Sequence, residues 1–268
     1  MILIEDPDDP RIAAYRDVRE RDLVGRQGLF VAEGEVVLRV LARSPLARPQ
    51  SLLLAQKRVG ALDDVIAALP PEVPVYVASQ AVMDAVVGFP IHRGILALGR
   101  REAEPTATEL LASLPEEALV LVLSGIGNHD NMGGLFRNAA AFGADAVILD
   151  SNCCDPLYRK AIRVSVGAAL LKPFARLAPD EDLLDVLEGQ GFETLALSPA
   201  GGLTLAETTR ALRTAVVLGA EGPGLSQALL ERSRTVRIPM ADGFDSLNVA
   251  VTAGVVLHHL AFAARKRA

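Results

Sequence analysis

Tryptophan is absent from this chain, and other aromatic residues and cysteines are scarce. The 268 residues include two cysteines and 4% aromatic side chains, although half of the residues are apolar. No apolar run approaches the roughly 20 residues that cross a bilayer, so no transmembrane segment is expected. The acidic start, Met1 to Asp9, lacks the basic region of a secretory signal. We expect a cytoplasmic protein with one large domain or two ordinary ones.

The two cysteines, Cys153 and Cys154, are adjacent. Neighbouring cysteines rarely form a disulfide with each other, and this pair matches no metal-ligand spacing. We therefore expect buried or half-buried thiols and no metal site.

Positive charge is also in deficit, because the net charge is −6. Nucleic-acid-binding proteins usually carry a basic footprint, so the total charge argues against a general binder of this class. Basic residues nevertheless cluster at Arg11, Arg16, Arg19, Arg21 and Arg26, at Arg93, Arg100 and Arg101, at Arg159, Lys160 and Arg163, and at 265–267. Each cluster is either a solvated helix face or a local contact for phosphates.

Strand-like and helix-like runs alternate along the first part of the chain, which predicts a small α/β domain. The predicted strands are 29–33, 51–54, 73–78 and 94–98, and the predicted helices are 35–42, 62–69 and 80–87. The polar stretch 102–109 has no apolar period and is the predicted linker.

The second part of the chain is also predicted to be α/β. Its predicted strands are 118–123, 146–149, 194–197, 215–218 and 235–238, and its predicted helices are 131–142, 157–171, 183–187 and 249–264. The run 118–123 is apolar throughout, which is typical of a strand buried on both faces of a parallel sheet. We therefore predict domains at 1–104 and 117–268, the second with a mostly parallel sheet.

One candidate site segment runs from Ser124 to Arg137, where a predicted strand meets a predicted helix. Ligands collect at such junctions in open α/β sheets. The pair Gly125-x-Gly127 is compatible with a dinucleotide-binding turn, but Asp130 stands where that turn needs a third glycine. Asn131 is either a helix cap or a site residue, and Arg137 is either a site residue or part of a surface ion pair.

Two further candidate segments follow the last two predicted strands. Leu218 to Ser226 and Ile238 to Asn248 are rich in glycine, proline and small polar residues, which serve tight turns and close approach of backbone to a ligand. Glu221 would either cap a helix or hold a polar ligand group. Ser246 and Asn248 either cap the final helix or shape a site.

Together the three segments carry a resemblance to a known family. Asn131-x-Gly-x-x-x-Arg137, Leu218-Gly-x-Glu-Gly-x-Gly-Leu-Ser226, and Ile238-Pro-Met with Ser246-Leu-Asn-Val249 occur in this order and at these spacings. They look like the three motifs of the SpoU/TrmH family of RNA ribose 2′-O-methyltransferases, in the SPOUT superfamily. The resemblance covers about Ala118 to Arg265. The N-terminal part, through 28–34 and 92–97, resembles the L30e-like RNA-binding domain of many members.

The resemblance implies the fold and the partners. It implies an α/β-knot domain with a deep C-terminal trefoil knot, which is an exception to the rule that chains are unknotted. It also implies S-adenosylmethionine as cofactor, an RNA substrate and a homodimer whose active site lies near the subunit interface. A separate N-terminal module favours ribosomal RNA over tRNA.

The resemblance also implies roles for individual residues. Cofactor contacts would come from Leu218, Gly219, Ala220, Gly222, Ile238, Met240, Leu247 and Asn248. Arg137 would stand at the ribose 2′-hydroxyl, as base or as electrostatic clamp, and Asn131 would orient Arg137 or the ribose. Glu221 would hold the arginine or the substrate, and Ser246 and Asn248 would shape the site.

Three positions depart from the family pattern: Ala220 replaces a common Asn, Asp130 a common Pro, and Asn138 a frequent Thr or Ser. None is a residue of the expected chemistry, and all three bear on substrate choice and rate. Two alternatives to the enzyme stay open: a non-catalytic RNA-binding paralogue of the same fold, and a nucleotide-dependent oxidoreductase.

Overall fold

The computed structural model describes residues 1–16, 28–102, 104–220, 222 and 224–263. The strands are β1 (Ile2–Ile4), β2 (Leu29–Glu33), β3 (Ala47–Ala55), β4 (Val75–Ala78), β5 (Ile95–Arg101), β6 (Ala118–Ser124), β7 (Ala146–Leu149), β8 (Phe174–Arg176), β9 (Glu193–Leu197), β10 (Leu203–Thr204), β11 (Arg213–Gly219) and β12 (Arg234–Arg237).

The α-helices alternate with these strands. They are α1 (Glu35–Leu41), α2 (Asp63–Ala68), α3 (Gln80–Val87), α4 (Ala107–Ala112), α5 (His129–Ala141), α6 (Arg159–Val164), α7 (Leu183–Gly189), α8 (Gln227–Glu231) and α9 (Val249–His258). In the described ranges, no helix combines the length and the apolar character that crossing a membrane requires.

The chain forms two compact units. The first comprises Met1–Ala103 together with Asp155–Leu171, and the second comprises Glu104–Cys154 together with Lys172–Ala268. The α/β class is confirmed. The sequence had assigned Asp155–Leu171 to the second domain, whereas in the structure this segment packs with the first unit.

The first unit is built on a mixed sheet with the strand order β1-β4-β3-β5-β2. Strand β5 runs antiparallel to both of its neighbours, and the other pairs are parallel. Its core includes Tyr15, whose buried hydroxyl donates to the Ser51 carbonyl at 2.8 Å and accepts from the Leu98 amide at 3.1 Å. The start of α3 is fixed by Ser79, which accepts from the Val82 amide, and its end by Gly88 with φ 78°.

The segment that joins the first unit from later in the chain is not the single helix that we predicted over 157–171. Helix α6 ends at Val164, Val166 and Gly167 have φ of 55° and 82°, and a 3₁₀ turn follows at Ala168–Leu170. A Cβ on Gly167 would lie 2.9 Å from a methyl carbon of Val40 in α1. The left-handed turn and the tight packing both favour glycine at this break.

The second unit is built on a seven-stranded sheet in the order β10-β12-β9-β11-β6-β7-β8. Every pairing in it is parallel, as predicted. The central strands β6 and β11 are buried apart from their ends, which explains the continuous apolar run at 118–123.

The predicted linker at 102–109 is partly wrong, because helix α4 begins inside it. Thr106 caps α4 by accepting from the Glu109 amide, and the Glu109 carboxylate accepts from the Thr106 amide in return. This capping box was visible in the sequence as Thr-x-x-Glu. The same hydrogen bonds lower the pKa of Glu109.

Helix α9 packs closely on helix α5. A Cβ on Gly134 would lie 2.8 Å from Cβ of Ala250, and Asn138 donates to the Ala250 carbonyl at 2.5 Å. The α-helix predicted over 249–264 ends at His258, after which His259–Ala263 form a π-helical turn. Two elements that begin 120 residues apart in sequence are thereby held side by side.

Candidate active site

A cavity of about 560 Å³ lies in the second unit, at the carboxyl ends of the neighbouring strands β12, β9 and β11. Ligands bind at this edge of open parallel sheets, and the volume is within the range of roughly 300–1,000 Å³ for small-molecule pockets. It is lined by Leu197, Ser198, Pro199, Leu218, Gly219, Ala220, Gly222, Gly224, Val236, Ile238, Met240, Asp245, Ser246, Leu247, Asn248, Val249 and Thr252. All eight residues predicted to contact the cofactor are among them.

The loop after β11 forms one wall, and it needs glycine for steric reasons. A Cβ on Gly219 would lie 2.5 Å from the carbonyl carbon of Gly224, because the loop folds back on itself. The Gly224 amide donates to the Ala220 carbonyl at 3.1 Å, and Gly222 and Gly224 have φ of 91° and 67°. Beyond Leu218, the described residues of this loop are glycine and alanine, which leave mainly backbone groups facing the cavity.

The loop after β12 forms the opposite wall. Ile238, Met240 and Leu247 supply apolar surface, and Ser246 supplies a hydroxyl. Among the described lining residues, Asp245 is the one charged side chain, and none is a lysine or arginine. This wall suits a ligand with an apolar ring and a positive or zwitterionic end better than one with a pyrophosphate.

Asn248 caps α9 and also lines the cavity. Its Oδ1 caps α9 by accepting from the amides of Ala250 and Val251 at 3.0 and 3.3 Å. Its Nδ2 donates to Oδ1 of Asn131 at 2.8 Å. The cavity wall is thus joined directly to the first of the three sequence segments.

Asn131 is not a helix cap, because Asn128 caps α5 by accepting from the amides of Asp130 and Asn131. Asn131 lies within the first turn and is half-buried.

Arg137 lies on the same helix and is exposed, with no hydrogen bond or ion pair to any residue that the structure describes. It does not line the cavity of its own chain. Glu221 lies outside the described residues, as do Arg19, Arg21, Arg26 and the cluster at 265–267.

The end of β6 is organised by Asp150, the acidic residue after β7. Its carboxylate accepts from Ser124 Oγ and from the Gly125 amide at 2.8 and 2.9 Å, and from the Asn152 amide at 2.9 Å. The carboxylate that a dinucleotide-binding fold would offer to a ribose is therefore occupied in holding this turn. Ser124 is also the register partner of Gly219, which places the first segment beside the cavity loop.

Cys153 and Cys154 have free thiols, as expected. The buried Cys153 Sγ donates to the Leu123 carbonyl and accepts from the Ile126 amide, each at 3.3 Å. Burial, with the charge of Asp150 nearby, raises the pKa of Cys153 to about 12.

Sequence reasoning missed several residues of this site. Leu197, Ser198 and Pro199 at the end of β9, together with Thr252 in α9, line the cavity. The usable signal was positional, since β9 was predicted correctly and its carboxyl end borders the two strands that carry the loops.

An all-parallel sheet with glycine-rich loops closing a pocket over its carboxyl edge places the chain among α/β proteins that bind a small ligand at this edge. The family model for the SpoU rRNA Methylase family matches residues 118–258, and the chain belongs to this family. The chain is 42% identical over 262 residues to a Mycobacterium bovis tRNA/rRNA methyltransferase whose name marks it as uncharacterized, covering 94% of this chain and 89% of that protein.

Two further similarities are more distant. The chain is 29% identical over 223 residues to the Escherichia coli 23S rRNA (guanosine-2′-O-)-methyltransferase RlmB, covering 81% of this chain and 91% of that protein. A solved AdoMet-bound rRNA methyltransferase from Sinorhizobium meliloti superposes with a TM-score of 0.79 at 21% identity, covering 95% of this chain and 96% of the other. The latter supports the fold alone. Family membership sets the oxidoreductase alternative aside.

Proposed function

We propose that this protein transfers a methyl group from S-adenosylmethionine to a ribose 2′-hydroxyl of ribosomal RNA. The observation that carries the proposal is the convergence of the three sequence segments. The loops after β11 and β12 line one cavity, and Asn248 of the last segment is hydrogen-bonded to Asn131 of the first. These are the segments that resemble the family motifs, and the chain belongs to the SpoU rRNA Methylase family.

The cavity fits S-adenosylmethionine on three observations. Apolar side chains of Leu218, Ile238 and Leu247 provide surface for the adenine ring, and the tight turn at Gly219 leaves backbone groups for its polar edge. The described lining carries one carboxylate and no cationic side chain, which suits a sulfonium. The eight proposed contacts are Leu218, Gly219, Ala220, Gly222, Ile238, Met240, Leu247 and Asn248.

The cofactor supplies an electrophilic methyl group. Bound in this cavity, it would give that methyl group to the 2′-oxygen, with its sulfur leaving as a thioether and the hydroxyl proton passing to a base. The protein must therefore orient the ribose and stabilise the negative charge that grows on the oxygen. We assign that charge stabilisation to Arg137, whose guanidinium has no partner among the described residues.

Arg137 is unsuited to take the proton itself, because a guanidinium group stays protonated in proteins. In the proposed mechanism it clamps the oxygen, and a neighbouring RNA phosphate accepts the proton. Asn131, which accepts a hydrogen bond from Asn248, orients the ribose. Ser246 shapes the site from the cavity wall, and Glu221 holds Arg137 or the substrate.

A trefoil knot is part of the proposal, and the strand order supports it. In the sheet, the neighbouring strands run in the order β12, β9, β11 and β6. The helix that follows β12 is α9, and it packs on α5, the helix that follows β6. The connection from Ile238 to Asn248 must therefore pass the carboxyl ends of β9 and β11, where the loop at 219–224 folds back on itself. We propose that the chain threads this loop.

A homodimer is also part of the proposal. Val251 and Val255 are exposed apolar residues one turn apart on α9, and Phe262 is exposed in the π-helical turn that follows it. A second copy of the chain is the proposed occupant of this face. Arg137 does not line the cavity of its own chain. We propose that the active site is completed near the interface with the second copy.

Ribosomal RNA is the proposed substrate, ahead of tRNA, on two grounds. The Escherichia coli relative is named for 23S rRNA and aligns over 81% of this chain. The chain also devotes its first unit to an α/β module separate from the cavity, which we propose to be an RNA-binding domain.

Two measurements test the proposal. Titration calorimetry should detect S-adenosylmethionine and S-adenosylhomocysteine, and no detectable heat at millimolar ligand would refute the enzyme. Mapping of 2′-O-methyl groups in total RNA, with and without the protein, should reveal one or more ribosomal positions that depend on it. Cofactor binding without any dependent methyl group would favour a non-catalytic paralogue, and dependent groups confined to tRNA would refute the choice of rRNA.

A further inference from the structure

The first unit holds a buried carboxylate that two arginines from a distant part of the chain reach. Glu33, at the end of β2, has a side chain that is 8% exposed. It accepts from Arg159 Nε at 3.0 Å and lies 3.7 Å from Arg163 Nη1, both in α6. Since a buried carboxylate needs a partner, this pair fixes α6 against the end of β2.

Two more arginines lie at the same edge of the sheet. The end of β2, the end of β3 and the start of β5 share this edge, because β5 is antiparallel to both. A Cβ on Gly34 would lie 2.9 Å from Arg93 Nη1, and one on Gly94 would lie 3.6 Å from Cγ of Arg58. Glycine at position 34 therefore leaves room for the Arg93 side chain, whereas at Gly94 the close contact is with Cβ of Ala55 and Arg58 is in ordinary van der Waals contact.

An exposed aromatic ring adjoins these arginines. Phe89 is 46% exposed, and the guanidinium carbon of Arg159 lies 5.2 Å from its ring centroid. This cation–π contact holds one side of the ring in place and leaves much of the rest accessible. A single exposed ring is common on protein surfaces. This ring is held beside an arginine in a basic region, an arrangement that suits stacking of a nucleic-acid base.

The charge of the surface is strongly positive. Four arginines, Arg58, Arg93, Arg159 and Arg163, lie at this edge of the sheet, and Glu33 is reached by Arg159 and Arg163. Lys57, His92 and Lys160, adjacent in sequence, are exposed as well. Of the nearby acidic residues, Glu35 is paired with Arg39. Asp84 and Asp155 accept from neutral groups, which do not cancel their charge, but the basic residues still outnumber the carboxylates.

We propose that this surface, formed by Arg58, Phe89, Arg93, Arg159 and Arg163, binds a single-stranded stretch of the RNA substrate. The guanidinium groups neutralise phosphates, and a base stacks on the open part of Phe89. The surface is composite, because α6 comes from within the family-matched region and completes a binding face of the first unit. The inference rests on the proposed function for the identity of the substrate as RNA.

The combination of features selects single-stranded RNA. A basic groove alone would serve any polyanion, including duplex RNA or an acidic protein segment. An aromatic ring adds stacking, which only unpaired bases accept and which is tolerant of sequence. The position of Arg159 between Glu33 and Phe89 gives the ring a fixed orientation for this purpose.

The test measures binding of the full-length protein to a fluorescein-labelled, mixed-sequence RNA of about 12 nucleotides, single-stranded or in a duplex. Fluorescence anisotropy is recorded over a series of salt concentrations. The variants are Phe89→Leu, Phe89→Ala and Arg93→Gln. Arg48→Gln is the matched control, since Arg48 is an exposed arginine at the opposite end of β3 that pairs with Glu102.

We expect Phe89→Ala and Phe89→Leu to weaken binding of the single strand on the order of ten-fold, and binding of the duplex much less. Arg93→Gln should reduce the slope of log affinity against log salt by about 0.7. Arg48→Gln should leave both quantities unchanged, and thermal melting should show that all four variants fold.

Several results would overturn the inference. One is that the unaltered protein does not bind the single strand. Another is that both Phe89 variants bind the single strand as tightly as the unaltered protein. A third is that the protein prefers the duplex and that the Phe89 substitutions do not change this preference. Cofactor calorimetry separates this failure from failure of the proposed function. If S-adenosylmethionine binds and the variants keep their RNA affinity, the proposed surface is refuted and the proposed function stands. If RNA binding depends on Phe89 but no cofactor binds, the surface stands and the proposed function is refuted.

Discussion

Asn248 Nδ2 donates a hydrogen bond to Asn131 Oδ1 across 2.8 Å, joining residues 117 positions apart. The bond connects the start of α9, which borders the cavity, with the first turn of α5. Arg137 lies further along α5. Because both helices also meet at Gly134 and Ala250, the bond sits at the end of a tight helix contact. The position of α5 relative to the cavity thus depends on a few short polar and glycine residues.

Asn131→Ala removes the acceptor and should lower the free energy of unfolding by about 0.5–1.5 kcal/mol. Asn248→Ala should cost a further ~1 kcal/mol, because it also removes the cap of α9. A double-mutant cycle by urea unfolding measures the coupling between the two side chains. Fully additive effects would contradict a direct interaction. Methyl transfer by Asn131→Ala should fall by more than its stability loss explains.

Arg137→Ala should abolish most methyl transfer while leaving the affinity for S-adenosylmethionine unchanged. Loss of one group that stabilises transition-state charge costs on the order of 100-fold or more in rate. Single-turnover transfer to the RNA substrate and cofactor calorimetry measure the two effects separately. Arg232→Ala is the control, because Arg232 is an exposed arginine of the same unit in surface ion pairs with Asp182 and Asp185. Normal turnover by Arg137→Ala would remove this residue from the mechanism.

Gly219→Ala should distort the cavity loop, because its Cβ would meet the backbone of Gly224 at 2.5 Å. Overpacking of this kind typically costs about 1–3 kcal/mol of stability. We expect S-adenosylmethionine affinity to fall more steeply than stability, since the loop is the cavity wall. Gly189→Ala is the matched control, because a Cβ there meets nothing within 4 Å. Equal cofactor affinity in the two variants would show that the loop does not bind the ligand.

Val255→Glu should convert the proposed dimer into a monomer. The substitution places a charge in the middle of the exposed apolar face of α9, where burial against a second copy would desolvate it. Sedimentation equilibrium measures the change in mass. The same substitution at Leu212, an exposed leucine away from α9, should leave the mass of the assembly unaltered. A monomeric unaltered protein would refute the dimer outright.

Cys153 should resist alkylation in the native protein. Its thiol stays protonated up to a pKa of about 12, whereas an unfolded thiol ionises near 8.5. In the interval between these values the unfolded state releases a proton that the folded state keeps, so the free energy of unfolding declines as pH rises. A Cys154→Ser variant isolates Cys153, and mass spectrometry should detect its labelling by iodoacetamide only after denaturant is added. Rapid labelling of the native variant would contradict the burial.

Much of the fold was predictable because apolar runs and breakers coincide in this sequence. Strand β2, helix α3 and strand β7 were predicted with their observed bounds, since each is flanked by glycine, serine or aspartate turns. The failures have physical causes. The break between α6 and Leu170 depends on packing against Val40, which no local pattern encodes, and the three-residue strand β8 is too short for a periodic signal.

The site was predictable as a set of segments but not as a geometry. Motif spacing identified the two loops, and both line the cavity. The hydrogen bond from Asn138 to Ala250 and the displacement of the α5 cap to Asn128 depend on where distant helices meet. The sequence offered Asn131 and Asn248 as cap or site residues, but it did not predict the hydrogen bond between them.

The segment Asp155–Leu171 belongs to the first unit but is translated after the start of the second, which has a consequence for folding on the ribosome. Glu33 obtains Arg159 only after another 126 residues have been added, and Ser44 donates to Leu170 across the same interval. A nascent chain ending before Arg159 therefore exposes a carboxylate and an apolar helix face that the finished protein buries. The first unit can be completed only after Glu104–Cys154 of the second unit has been translated, so its folding cannot finish when its N-terminal segment alone has been made.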